Sequence, residues 1–578
     1  MSEVTGLLIF ADGRDAAAWR RGTALAREWR RRKVGVLLRD GALVEEVVTA
    51  FPDDALQTGA VAQFLRLEYQ ALCQHFRLDS VLWLPPLRPA MEEFLASLPW
   101  VRLLPAPASE AAVSAPEAAA GPRLVPSVPL ATRSVLIVTH DLATCATKTS
   151  EWIAQACEEL GVAARLENSS PLRALCMVTP DEPEESAGES LAKKIAARFD
   201  QLTEEAAADT VVALDLNWFL DKPSLLDLDR VKRVISLWYD DVKSWCQASY
   251  NVCVPGAIDD LQAALRHPKV IHCCYGRGQL DEMRRLGFGN VRFSYLAAPT
   301  AYLRRHAAPE ITDRAAFIGN PGLIATPPPR LLELLALGID LDGLRAYAQN
   351  LALVFVRHHF AGQIAREPTV LKLLSLAIET KLQFPYTSAS SLLQGAATHY
   401  PAAFEVLNQS GEVLNGLAAI KMVTQFDRPA LVVRLQRAGL LDVYSRADEW
   451  RSYGVEARPD VLFPDLPSVY QRYGCHLNGY NSGRDATANE KLFEIAACGR
   501  VSVNLSSPDV HQCYEEGEVA FAGSLAEAEE RVRGFLADPD AALAYGSRAR
   551  HRTAREHLWT HRLRSLFAAP GTAGAEPS

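Results

Sequence analysis

Between Cys475 and Phe521 the sequence concentrates side chains suited to a phosphorylated ligand: CHLNGYNSGRDATANEKLFEIAACGRVSVNLSSPDVHQCYEEGEVAF. A polar loop running into a helix offers unbonded backbone N–H groups and the positive end of a dipole, and a diphosphate fits there. Lys491 adds a point charge for the same phosphates. Glu494, one turn further on, carries a carboxylate able to accept both hydroxyls of a ribose. Asn478 and Asn489 stand at the two ends of the loop and join the ligand-binding candidates. Glu516 and Glu518 flank Gly517 in an acidic turn, where ligand contact and plain turn capping both suit a carboxylate. For Lys491 and Glu494 the plainer alternatives are an exposed helix-start lysine and a carboxylate at the edge of an apolar face.

Further candidates lie upstream. Gly319 and Asn320 follow an apolar run and would let backbone approach a phosphate or sugar; a β-turn is the alternative. Asp240 and Asp241 follow Val234–Leu237 and the aromatic pair Trp238-Tyr239, and would serve as base or acceptor orienter, or cap the next helix. His140 ends another apolar run, placed to touch phosphate or hydroxyl, although a lone histidine is more often structural. Asp227-Leu228-Asp229 has an Asp-x-Asp pattern but precedes a strand instead of following one, so no metal site is expected.

The elements that must position these residues can be read from periodicity. Residues 475–478 and 501–505 are expected as strands and 490–498 as a helix, with Gly499 as its C-cap. Apolar runs at 134–138, 210–214, 234–237, 252–254, 270–271 and 291–293 alternate with helical stretches, as in a parallel sheet. Residues 329–422 carry apolar residues at helical spacing, and 526–536 and 541–567 are expected as helices. Near the start, 6–10, 34–38, 80–84 and 101–104 read as strands of a small α/β unit in which Asp12-Gly13 is a turn.

Length and composition set limits. A chain of 578 residues predicts about three to four domains. With 49% hydrophobic and 22% charged residues it is globular. No apolar run reaches the ~18 residues of a membrane span, and the N-terminus does not read as a signal peptide. Eleven scattered cysteines without CxxC spacing support neither a zinc site nor a disulfide frame and fit a cytoplasmic protein. A net charge of −9 argues against a nucleic-acid partner.

The stretch NEKLFEIAACGRVSVN, then YEEGEVAF, resembles the nucleotide-sugar-binding half of GT-B glycosyltransferases, most closely the spore-maturation CgeB-type group. Glu556 to Arg562 resembles the group's His-aromatic-x-x-Arg ending. Trp238-Tyr239-Asp240-Asp241, Leu286 to Val291 and Phe317-Ile318-Gly319-Asn320 are similar to its earlier landmarks in the same order. Two positions depart: Lys491 stands where the group usually has Arg, and Ala486 where retaining enzymes often carry a second Glu. The resemblance implies an α/β GT-B-like pair of Rossmann-type domains with a helical insert, behind an N-terminal accessory α/β domain. The expected division is 1–104 accessory, 105–132 Ala/Pro-rich linker, 133–310 acceptor half, 311–567 nucleotide-sugar half with insert 329–422, and 568–578 disordered tail. It also implies metal-independent transfer from a nucleotide-diphosphate sugar, without a cofactor, to a protein, glycan or other cell-surface acceptor. Donor-side residues would be Glu494, Lys491, Asn489, Gly319, Asn320, Asn478, Glu516 and Glu518, with Asp240, Asp241 and His140 catalytic. The competing expectation is a catalytically silent GT-B-like scaffold binding a protein partner, suggested by the accessory domain, the insert and Ala486.

Overall fold

A computed structural model describes backbone at 6–11, 35–40, 80–83 and 102–104, then residues 130–139, 145–168, 200–214, 229–238, 247–249, 252–253, 266–304, 311–322, 327–446, 449–479 and 488–568. Strands β1 (Gly6–Ala11), β2 (Gly35–Asp40), β3 (Ser80–Trp83) and β4 (Arg102–Leu104) form a parallel sheet in the order β2-β1-β3-β4. The next strands are β5 (Ser134–Thr139), β6 (Ala163–Asn168), β7 (Thr210–Leu214), β8 (Arg233–Trp238), β9 (Gln247–Ser249), β10 (Val252–Cys253), β11 (Val270–Cys274) and β12 (Val291–Phe293). A second sheet has the order β12-β11-β8-β7-β5-β6.

Two strands differ from expectation. Val252–Cys253 lies outside the parallel sheet and pairs antiparallel with β9. β6 takes an edge of the sheet although its sequence, AARLEN, is half polar; Arg165 is buried there and pairs with Glu205 at 2.8 Å. Edge strands tolerate such side chains because one flank is unpaired.

The third sheet consists of β13 (Ala315–Ile318), β14 (Leu441–Tyr444), β15 (Ala457–Arg458), β16 (Cys475–Asn478), β17 (Val501–Leu505) and β18 (Ala520–Ala522), ordered β15-β14-β13-β16-β17-β18. Its pairs are parallel. Every residue of β13, β14, β16 and β17 is buried because helices cover both faces, and the polar ones among them are hydrogen-bonded, as Asn478 is to Asn504.

Helices follow the strands: α1 (Cys145–Glu159), α2 (Arg277–Arg285), then the insert with α3 (Pro329–Ala336), α4 (Leu341–His359), α5 (Ala361–Arg366), α6 (Thr369–Gln383), α7 (Ala389–His399), α8 (Pro401–Gln409) and α9 (Val413–Lys421), and after it α10 (Asp427–Arg437). The insert has its own core, in which Leu373, Leu374, Ala377, Ile378 and Leu393 pack with Met283 and Phe288 from α2 and the turn after it. Lys421 reaches Glu282 of α2 at 2.8 Å, an ion pair buried on both sides. The remaining helices are α11 (Leu466–Arg472), α12 (Glu490–Ala497), α13 (Pro508–Cys513), α14 (Leu525–Ala537), α15 (Pro539–Glu556) and α16 (Trp559–Phe567). Among the described residues no helix is long and apolar enough to cross a membrane.

The helix expected over 541–567 is broken at His557. Arg562 donates to the His557 Nδ1 at 2.9 Å, so Nε2 carries the proton and donates to the Cys513 carbonyl at 2.9 Å. Arg562 also donates to the Tyr295 carbonyl at 2.9 Å, and the backbone of Leu558 bridges to Ala298. Burial and the neighbouring guanidinium push the His557 pKa down to about 3.

Contacts divide the chain into two compact units. The first is 1–235 with 462–464 and 563–578; the second is 236–461 with 465–562. In the first, residues expected as linker end are paired: Ala131 N–H donates to the Phe567 carbonyl and Thr132 bonds Thr210 at 3.1 Å. The second contains the third sheet, the insert and the candidate site.

Candidate functional site

The third sheet changes direction at β13. The chain leaves that strand toward β14 on one side, then returns to place β16 on the other. Ligands of open α/β sheets bind outside the carboxyl ends of the strands at such a switch point. Gly319 and Asn320 follow β13 there, and Gly479 follows β16. Gly319 has φ +144, which an L side chain adopts with strain, and its carbonyl accepts from Trp450 Nε1 at 2.8 Å. Asn320 Oδ1 accepts from the Gly322 N–H at 3.2 Å.

Asn489 ties both ends of the following loop. Its Oδ1 accepts from the Leu492 N–H at 3.2 Å, the N-cap of α12, and its Nδ2 donates to the Gly479 carbonyl at 3.3 Å. Lys491 is partly exposed in the first turn, with Nζ 3.4 Å from Glu490 Oε1. Asn478 faces along the sheet instead, donating to Asn504 Oδ1 at 2.8 Å.

Glu494 lies deeper. It is 0% exposed, and Tyr470 donates to its Oε2 at 2.6 Å. Almost every residue of α12 is buried, so the helix has no open face for this carboxylate.

Glu516 and Glu518 sit before β18, at the amino edge of the sheet, because α13 carries the chain back from the end of β17. Glu518 Oε2 accepts from the Glu515 N–H at 2.9 Å, and Glu516 Oε2 from the Phe521 N–H at 3.2 Å. Glu516 also meets Arg531 at 3.2 Å and the Tyr545 hydroxyl at 3.2 Å. Both carboxylates hold the turn in which Gly517 has φ +100.

His140, Asp240 and Asp241 lie outside the described residues. The end of β8 just before the aspartates is firmly held: Trp238 Nε1 donates to His272 Nδ1 at 3.2 Å, and the ring packs edge-on to Phe288.

One residue of the crevice escapes the reading of the sequence. Arg428, in the first turn of α10, donates to both the carbonyl and Oδ1 of Asn320 at 3.3 Å. A Cβ on Gly479 would stand 3.2 Å from Arg428 Cγ, so the arginine bridges the two strand ends. Its neighbour Asp427 is anchored by Arg345 at 2.7 Å, both buried. The only signal in the sequence is a basic residue opening a helix just after the insert. Among the described residues no three His, Cys, Asp or Glu side chains gather as a metal site.

A family model described as "Glycosyl transferase-like" matches residues 428–568, from Arg428 through α16. The similarity to that family is confined to this segment. The segment holds β14 to β18, and therefore most of the crevice. No curated protein matches the chain. Among solved structures, sucrose-phosphate synthase from Thermosynechococcus elongatus is similar over 75% of this chain and 96% of its own, at 10% identity and TM-score 0.39. Anabaena HepE in complex with UDP-glucose aligns over 75% and 98%, at 8% identity and TM-score 0.36. A glycosyltransferase from Rickettsia africae aligns over 75% and 97%, at 8% identity and TM-score 0.38. The α/β architecture agrees with the sequence expectation in its Rossmann-type parallel sheets and its helical insert.

Proposed function

We propose that the protein transfers a sugar from a nucleotide-diphosphate sugar to a protein, glycan or other cell-surface acceptor, as a CgeB-type enzyme of the cytoplasm. The observation that carries this reading is the crevice at the switch point, lined by Gly319, Asn320, Gly479, Arg428 and the start of α12, in a segment that matches a glycosyltransferase-like family. Arg428, Lys491 and the N-terminus of α12 would stabilise the leaving diphosphate, making a metal ion unnecessary. Asn320 and Asn489 would order the backbone around it. Glu494 would reach the ribose by exchanging its bond to Tyr470 for the diol. Asp240, Asp241 and His140 remain our candidates for activating the acceptor.

The full burial of Glu494 favours a second reading, a catalytically silent scaffold that keeps the fold and binds a protein partner. Calorimetric titration of UDP-, ADP- and GDP-sugars, in EDTA, separates the two. Saturable binding with slow donor hydrolysis supports transfer; binding by none of them removes it and leaves the scaffold.

A further inference from the structure

We infer that a polar cavity beside the helical insert is a sugar-ring subsite, with the insert supplying one of its walls; this rests on the glycosyl-transfer reading above. The cavity has a volume of about 140 Å3. A cavity of about 150 Å3 is known to accept a benzene ring, so a six-membered ring is of the right size. Arg277 and Asp281 line it from α2, Asp509 from α13, and Tyr386, Ser388 and Ser391 from the turn between α6 and α7 and the start of α7. All belong to the second compact unit.

Position, chemistry and charge point the same way. α2 follows the carboxyl end of β11 and α13 that of β17, so the cavity opens where parallel sheets bind ligands. Its wall combines hydroxyls, carboxylates and a guanidinium with the ring of Tyr386, the mixture of directed polar groups and apolar surface that holds a sugar. Asp281 Oδ2 accepts from Ser391 Oγ at 3.3 Å and Ser388 Oγ at 3.5 Å, and Arg277 Nε stands 3.8 Å from Asp509 Oδ1. These are long contacts that ligand hydroxyls can replace with shorter ones. The Tyr386 hydroxyl is held by Arg345 Nη2 at 3.2 Å, itself fixed by Asp427, so that wall is preorganised. Two carboxylates against one guanidinium disfavour a diphosphate and suit a neutral polyol. The diphosphate thus belongs to the Arg428 crevice.

The ring has two sources, the sugar of the donor or the sugar of a glycan acceptor, and binding to the full chain distinguishes them. Three proteins are compared by calorimetry: wild type, Ser391→Trp, which fills the cavity, and Asp281→Asn, which keeps its shape. The ligands are a nucleoside diphosphate, the matching nucleotide-glucose, and methyl α-glucoside with the nucleoside diphosphate present. If the donor sugar occupies the cavity, Ser391→Trp weakens nucleotide-glucose by about tenfold or more and Asp281→Asn by less, while the diphosphate alone binds within twofold of wild type. If an acceptor sugar occupies it, both nucleotide ligands stay within twofold and saturable methyl glucoside binding is lost. Unchanged affinity for every ligand in both variants overturns the inference, as does a wild-type protein that binds neither glucose ligand. If no nucleotide binds the wild type, the glycosyl-transfer reading falls, and loss of methyl glucoside binding in the variants still decides the cavity. Should Ser391→Trp fail to fold, Asp281→Asn carries the test.

Discussion

The two edges of the third sheet use polar and charged side chains in opposite ways. At the carboxyl edge, Arg428 meets neutral acceptors of Asn320, and Asn489 is spent on keeping a loop and a helix start in register. At the amino edge, Glu516 and Glu518 are consumed by the N–H groups of Phe521 and Glu515, and Gly546 lets α15 lie against the Gly499 turn. Asn489, Glu516 and Glu518 all belong to the stretch most resembling a nucleotide-sugar site in sequence. The direction of the strands decides which can meet a ligand. Lesions at the amino edge should therefore cost stability, and lesions at the carboxyl edge should cost binding.

The largest effect is expected at the amino edge. A Cβ on Gly546 would stand 2.3 Å from the Gly499 carbonyl oxygen and 2.8 Å from Arg500 Cα, both backbone. Gly546→Ala should destabilise by about 3 kcal/mol, the upper range for overpacking, read as a lower denaturant midpoint. An unchanged midpoint would mean the helix and turn are not in this contact.

Acidification probes the same packed interior. Burial holds the His476 pKa down to about 4 and that of His557 down to about 3. A histidine whose folded pKa lies below its unfolded value near 6.5 gives the unfolded state the larger proton uptake, so stability is present above that value and falls as pH drops. Between pH 6.5 and 4, each should cost on the order of 3 kcal/mol. His476→Gln and His557→Gln should each flatten the loss of stability with pH; an unaltered profile in both would contradict the assignment.

At the carboxyl edge, Arg428→Ala and Lys491→Ala should each weaken nucleoside-diphosphate binding by roughly tenfold to a hundredfold, the worth of a hydrogen bond to a charged group at ~1.5–3 kcal/mol. The unliganded melting temperature should hardly move. Smallest of all, Glu518→Ala should cost under about 1 kcal/mol of stability and leave nucleotide affinity unchanged. A selective loss of nucleotide affinity in Glu518→Ala would reverse the comparison.

Much of this framework was legible before the structure. The runs VLIV and TVVAL announce buried parallel strands because β-branched and aliphatic residues fill both faces of such a sheet. Gly499 announced the end of α12 and takes φ +72. The two-residue strand β15 and the half-polar β6 were not legible, since short or edge strands carry little pattern. Glu494 shows a subtler limit. Its place on a helix was readable, but its partner Tyr470 comes from α11, and only tertiary packing brings them together. Arg428 was missed for the same reason: its neighbour Asn320 lies 108 residues away, across the insert.

The most direct test of the account is the melting temperature of wild type, Arg428→Ala and Glu518→Ala with and without a nucleotide-sugar from the UDP, ADP and GDP series. A ligand at a hundredfold excess over its dissociation constant adds about 2.7 kcal/mol. The account predicts a clear upward shift in wild type and Glu518→Ala that falls to about half or less in Arg428→Ala at the same ligand concentration. No shift in wild type with any donor, or an equal shift in all three proteins, would contradict the placement of a donor at this crevice.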